Sequence, residues 1–74
     1  MTYLVDFSWT YEYLDGESGQ WEQYKDFDAR RFHCKKKDIK KEVRKYVEQE
    51  LEGETYKDLE VIINKHYLTT EHEV

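Results

Sequence analysis

The 74-residue chain predicts an α+β domain of order ββαβ, in which a three-stranded sheet of order 2-1-3 carries one helix on one face. Three observations predict it: a period-two aromatic run near the N-terminus, one apolar stripe at helical spacing in the middle, and a β-branched segment near the C-terminus.

In YLVDFSWTYEY, the residues Tyr3, Val5, Phe7, Trp9, Tyr11 and Tyr13 alternate with polar Asp6, Ser8, Thr10 and Glu12. Successive strand side chains point to opposite faces, so this run makes a strand with one apolar face. The next segment, LDGESGQ, contains two of the three glycines with Asp and Ser, and reads as a hairpin loop. Folding the chain back around residue 17 sets Tyr13 opposite Trp21, Phe7 opposite Phe27 and Val5 opposite Ala29, with a return strand over residues 20–33. Gln23 and Lys25 then fall opposite Tyr11 and Trp9, the weak points of that register.

From Ile39 onward, Val43, Tyr46, Val47 and Leu51 follow at the spacing of one helical face, and Gly53 supplies a stop. This predicts a helix over 38–52 that starts near Lys37, with Asp38 as N-cap or first-turn acid. An earlier start would turn Lys35 and Lys36 toward the apolar stripe. In DLEVIINKHYL, Leu59, Val61, Ile63 and Tyr67 mark a third strand, and the tail 69–74 is expected to fray. A right-handed crossover through the helix places this strand beside the first, parallel to the second.

A chain of this size makes one domain with a modest core, and its aromatic content of 16% sets it apart from disordered sequences of similar charge. No leader or transmembrane segment is read in it, and the single cysteine, Cys34, gives no disulfide framework, so a cytoplasmic setting is expected, or a host cytoplasm for a viral gene. Cys34 is read as a small buried residue. The net charge of −5 divides into blocks: −6 over 1–28, +7 over 29–47 and −6 over 48–74.

Length sets the candidate site. The first strand spans ~37 Å over residues 3–13, whereas the helix spans ~22 Å. The helix therefore leaves the hairpin tip uncovered, and with it Tyr11, Tyr13 and Trp21. Either the loop around Tyr56 or a curl of the hairpin shelters these rings, or they form a patch for a partner or a second copy. The opposite sheet face is expected to show Asp6, Glu12, Glu22, Asp26, Asp28 and Glu60, with Tyr24 among them. Such a surface is either an ordinary solvated face or an acidic mimic of nucleic-acid backbone.

A second candidate is the outer helix face, where Lys37, Lys40, Lys41, Arg44 and Lys45 cluster near the start and Glu48 and Glu52 follow. That order opposes the helix dipole. It reads either as a neutral solvated surface or as an anion or nucleic-acid docking face. His33, His66 and His72 are scattered, and no nucleophile setting, zinc spacing or phosphate loop is present, so neither an enzyme nor a cofactor or metal is expected.

The leading expectation is a non-enzymatic protein-binding module, a small regulator or inhibitor that acts through the aromatic tip, Tyr11, Tyr13 and Trp21, and the acidic sheet face, where Tyr24 lies among Asp26 and Asp28. In general character the chain looks like the compact acidic proteins that phages and mobile elements encode to block host machinery, a likeness of size and charge without a motif. A nucleic-acid binder using the helix lysines is the alternative, and a self-associating structural protein the third.

Overall fold

A computed structural model describes residues 1–69 and contains, in order, β1 (Thr2–Leu14), β2 (Trp21–His33), a 3-10 turn (Lys36–Asp38), α1 (Ile39–Glu50) and β3 (Tyr56–Leu68). The three strands form one open sheet in the order β2-β1-β3 with both pairings antiparallel, the predicted architecture. Most of the tail expected to fray, residues 70–74, lies outside the described residues. Thr69 itself is held: its N–H and its hydroxyl both donate to the Thr2 carbonyl, at 2.9 and 3.0 Å.

The core forms where the helix stripe meets the odd-numbered face of β1. Val5, Phe7, Val43 and Val47 are sealed, with Tyr3, Trp9, Ile39, Leu51 and Val61 almost so. Phe7 is the hinge of this packing, with the rings of Trp9, Phe32 and Tyr46 all within 6.0 Å of it. Asp38 precedes α1 without a side-chain capping bond, because the 3-10 turn uses it as its last residue. The helix thus starts two residues later than expected, and Gly53, at φ 89°, ends the turn that follows it.

The hairpin register differs from the expected one by a single residue. Tyr11 stands opposite Tyr24, Trp9 opposite Asp26, Phe7 opposite Asp28 and Tyr13 opposite Glu22. A one-residue slip moves every side chain of a strand to the other face. Trp21 and Phe27 therefore leave the core side for the bare side, while Glu22, Tyr24, Asp26 and Asp28 come round to the helix side. Gln23 and Lys25 cease to conflict with the aromatic stripe: they now lie opposite Glu12 and Thr10.

The connecting loop sets this register. Asp15 donates its N–H to the Gln20 carbonyl at 2.9 Å and accepts the Gly19 N–H on its own carbonyl at 2.8 Å. The Asp15 carboxylate accepts from the Glu17 N–H at 3.0 Å and the Ser18 hydroxyl at 3.1 Å. Gly19 sits at φ 71°, the left-handed region that glycine enters without a Cβ clash.

Two irregularities shape β3. Between Thr10 and Glu12 the partner residues advance from Glu60 to Lys57, and Asp58 there has φ 58°. Between Asp6 and Phe7 the partners jump from Lys65 to Ile63, so that Asn64 is the extra residue. Each bulge reverses the side-chain parity. Tyr56 consequently shares the helix side with Leu59, Val61 and Ile63, whereas Tyr67, expected with that group, turns to the bare side opposite Leu4.

Candidate functional site

At 50 × 24 × 20 Å the molecule is long and narrow, because thirteen-residue strands outrun a twelve-residue helix. Beyond Leu51, the last sealed helix-side residue, β1 continues to Leu14, whose N–H reaches the Thr55 carbonyl at 3.3 Å. This end of the sheet lies past the helix, as the lengths predict.

Four tyrosines occupy it on the helix side. Tyr11 is central: its ring centroid lies 5.4 Å from Tyr24, 6.0 Å from Tyr56 and 6.5 Å from Tyr13, in tilted or edge-to-face geometries. Such contacts contribute roughly 0.5–1.5 kcal/mol per pair beyond area burial. Tyr11, Tyr13 and Tyr56 are half-buried, and Tyr24 is 44% exposed. The rings shelter one another in part, and Tyr11 and Tyr56 pack against the core, so of the two alternatives, sheltered rings or an exposed patch, the structure holds a mixture: a cluster with one open side.

Carboxylates border the cluster. Glu22 stands opposite Tyr13, and Asp26 lies 3.4 Å from the Tyr24 hydroxyl. Burial, with the neighbouring Tyr24 and the charges of Glu54 and Asp26, pushes the Tyr11 phenol above its ordinary pKa. The phenol therefore stays neutral and available as a hydrogen-bond donor. Acidic and aromatic residues that the sequence reading placed on opposite faces are in fact gathered on one.

Asp28 has a different position. It is hydrogen-bonded to the Arg30 side chain at 2.9 Å, and the Tyr46 hydroxyl approaches it at 3.5 Å. The Arg30 guanidinium also lies 5.0 Å from the Tyr46 ring centroid, so these three side chains tie β2 to α1. The hydrogen bond from Arg30 holds the Asp28 carboxyl below its usual pKa. Asp28 is thus paired with a cation of the chain, whereas Asp26 accepts only from the Tyr24 hydroxyl and the Phe27 N–H.

Trp21 lies apart, on the bare side, with the Lys57 ammonium 4.3 Å from its ring centroid. Tyr56, which the sequence reading named only as part of a loop that could shelter the tip, is a strand residue and a member of the cluster. Tyr56 is out of phase with Leu59 in the sequence, and only the bulge at Asp58 brings both to one face.

Of the second candidate set, Lys40, Lys41, Arg44 and Lys45 are exposed on α1, whereas Lys37 is exposed in the 3-10 turn before it. Arg44 is hydrogen-bonded to Glu48 at 3.1 Å. Cys34 is half-buried against the core, and burial raises its thiol pKa. His33 shares a hydrogen bond with the Thr2 hydroxyl at 3.0 Å. Among the described residues no three metal-ligating side chains converge, and no helix is long and apolar enough to cross a membrane. Comparison of the chain with protein-family models, with curated proteins and with solved structures found no match.

Proposed function

We propose that the chain is a protein-binding module whose contact surface is the tyrosine cluster at the hairpin tip, and that it takes a basic protein surface. The observation that carries this reading is the convergence of Tyr11, Tyr13, Tyr24 and Tyr56 with Glu22 and Asp26 on one uncovered face. Tyrosine offers a rigid contact area with a polar handle, the property that enriches it in binding hot spots. Carboxylates around such rings favour a lysine or arginine, which can lie on a ring face while pairing with an acid. The energetic centre moves accordingly from Trp21, on the other face, to Tyr11 and Tyr24. A regulator or inhibitor that occupies a basic groove, in the manner of small phage-encoded acidic proteins, would use a surface of this kind.

The nucleic-acid alternative rests on the exposed helix lysines. One experiment separates the two. Immobilised chain is used to recover bound material from host lysate, with a Tyr24→Ala/Asp26→Asn variant and a Lys37→Glu/Lys41→Glu variant in parallel. The proposal expects a basic protein retained by the unmodified chain and by the helix variant, and lost from the tip variant. Tyr24→Ala alone should weaken the isolated complex by about 2 kcal/mol or more. Retention of nucleic acid that the helix variant loses, with affinity falling steeply in salt, would replace the proposal by the alternative.

A further inference from the structure

The sheet has a second surface that no helix covers, and two large apolar side chains stand exposed at its middle. Across the middle of it run Phe27, Ser8 and Ile62, one from each strand and directly opposite one another. Phe27 is 74% exposed and Ile62 48%, while Ser8 between them is buried. Leu4 and Tyr67 lie four residues further along β1, beyond the row of Ala29, Asp6 and Lys65, with Tyr67 itself exposed. An exposed phenylalanine and an exposed isoleucine on the two strands that flank Ser8 are a departure from a solvated sheet face.

We propose that this bare face is the interface between two copies of the chain, packed sheet on sheet about a two-fold axis that runs along β1. Three observations select a second copy. The first is charge. The whole chain is at −5, yet this face carries three acids, Asp6, Glu12 and Glu60, against four bases, Lys25, Arg31, Lys57 and Lys65. Two acidic molecules repel on approach, and on this side the local balance removes that repulsion.

The second observation is self-complementarity. A two-fold axis along the central strand lays β2 of one copy over β3 of the other. Rows across the sheet then meet as Phe27 on Ile62, Lys25 on Glu60 and Arg31 on Tyr67, since Lys25 and Glu60 flank Thr10, and Arg31 and Tyr67 flank Leu4. These are an apolar contact, an ion pair and a cation on a ring. On the axis itself Asp6 and Glu12 meet their own images, and each such acid pair has lysines as cross-strand neighbours, Lys65 for Asp6 and Lys57 for Glu12.

The third is area. Three strands at ~4.8 Å by thirteen residues at ~3.4 Å give ~600 Å² per copy, so ~1,200 Å² in all, the lower end of the range for a specific interface. Pairing through the exposed edge of β2 is less suited to the task. There the Phe27 and Ala29 N–H groups already donate to Asp26 and Asp28 at 2.8 Å.

Sedimentation velocity on the full chain from ~1 µM to ~1 mM, a range matched to an interface of standard-minimum size, tests the proposal. A monomer–dimer equilibrium is expected within it. Phe27→Asp changes an exposed side chain, so it should keep the circular dichroism spectrum and melting behaviour of the parent monomer while abolishing the dimer. Lys25→Glu should weaken association, and Lys25→Glu/Glu60→Lys should restore it, while Tyr24→Ala leaves it unchanged. A chain still monomeric at the highest concentration, a dimer that survives Phe27→Asp, or one lost in Tyr24→Ala would each overturn the assignment. Because the tip surface and this face share no residue, loss of one result leaves the other standing.

Discussion

Among the described residues Asp58 is the one non-glycine residue with positive φ, at 58°, and it occupies the bulge that brings Tyr56 beside Tyr11. Left-handed backbone costs an ordinary residue roughly 1–2 kcal/mol, and Asp and Asn tolerate it best after Gly. Asp58→Val should therefore lose about that much in urea denaturation, whereas Asp58→Gly should match the parent or exceed it. Asp28 carries a pH dependence. Its pKa is depressed in the folded state by Arg30, so its stabilisation is present above the ordinary carboxylate value of ~3.9 and is lost as pH falls through the folded value. Asp28→Asn should melt below the parent at pH 7, with the difference closing under acid. A gap that widens under acid would contradict this assignment of sign. The hairpin loop was legible at this scale only by residue type: two glycines with Asp and Ser announce a turn, but not how many residues it spans.

At the scale of elements, α1 is held by its buried face against an unfavourable surface. Val43 and Val47 are sealed, and Val43→Ala should cost about 2–3 kcal/mol by transfer and cavity terms. The outer face places Lys41 in the first turn of α1, at the dipole's positive end and one turn before Lys45. Lys41→Glu should stabilise the protein by about 0.3–1 kcal/mol at low ionic strength, with the gain shrinking as salt is added. A salt-independent change would mean that the dipole and like-charge account is wrong. The helix stripe and the β1 alternation are self-evident in the sequence because each is a single element read against its own period. β3 is less so: two bulges break its alternation, which is why Tyr56 was read as loop and Tyr67 was assigned to the wrong face.

For the whole molecule, the pairing of β1 with β3 joins residues near the two ends of the described chain, such as Tyr3 with Leu68. Sheets built from such distant contacts fold slowly, on the order of milliseconds to seconds. The chain has no proline, so refolding followed by Trp9 fluorescence should lack the phase of about 10–100 s that proline isomerisation adds. A slow phase of that length, unchanged by protein concentration, would require another source.

What the residues alone determined was the element order, the sheet order β2-β1-β3, the helix stripe and the excess of strand length over helix length. Each follows from a local period or a rise per residue, and needs no knowledge of how one strand meets the next. What only the tertiary structure decided was which face each β2 side chain occupies. Alternation repeats every two residues, so a slip of one between paired strands leaves every local pattern intact and exchanges all the faces. The six-residue loop built around Asp15 and Gly19 chooses between the two registers, and that choice gathers tyrosines with carboxylates on one side of the tip while it exposes Phe27 on the other.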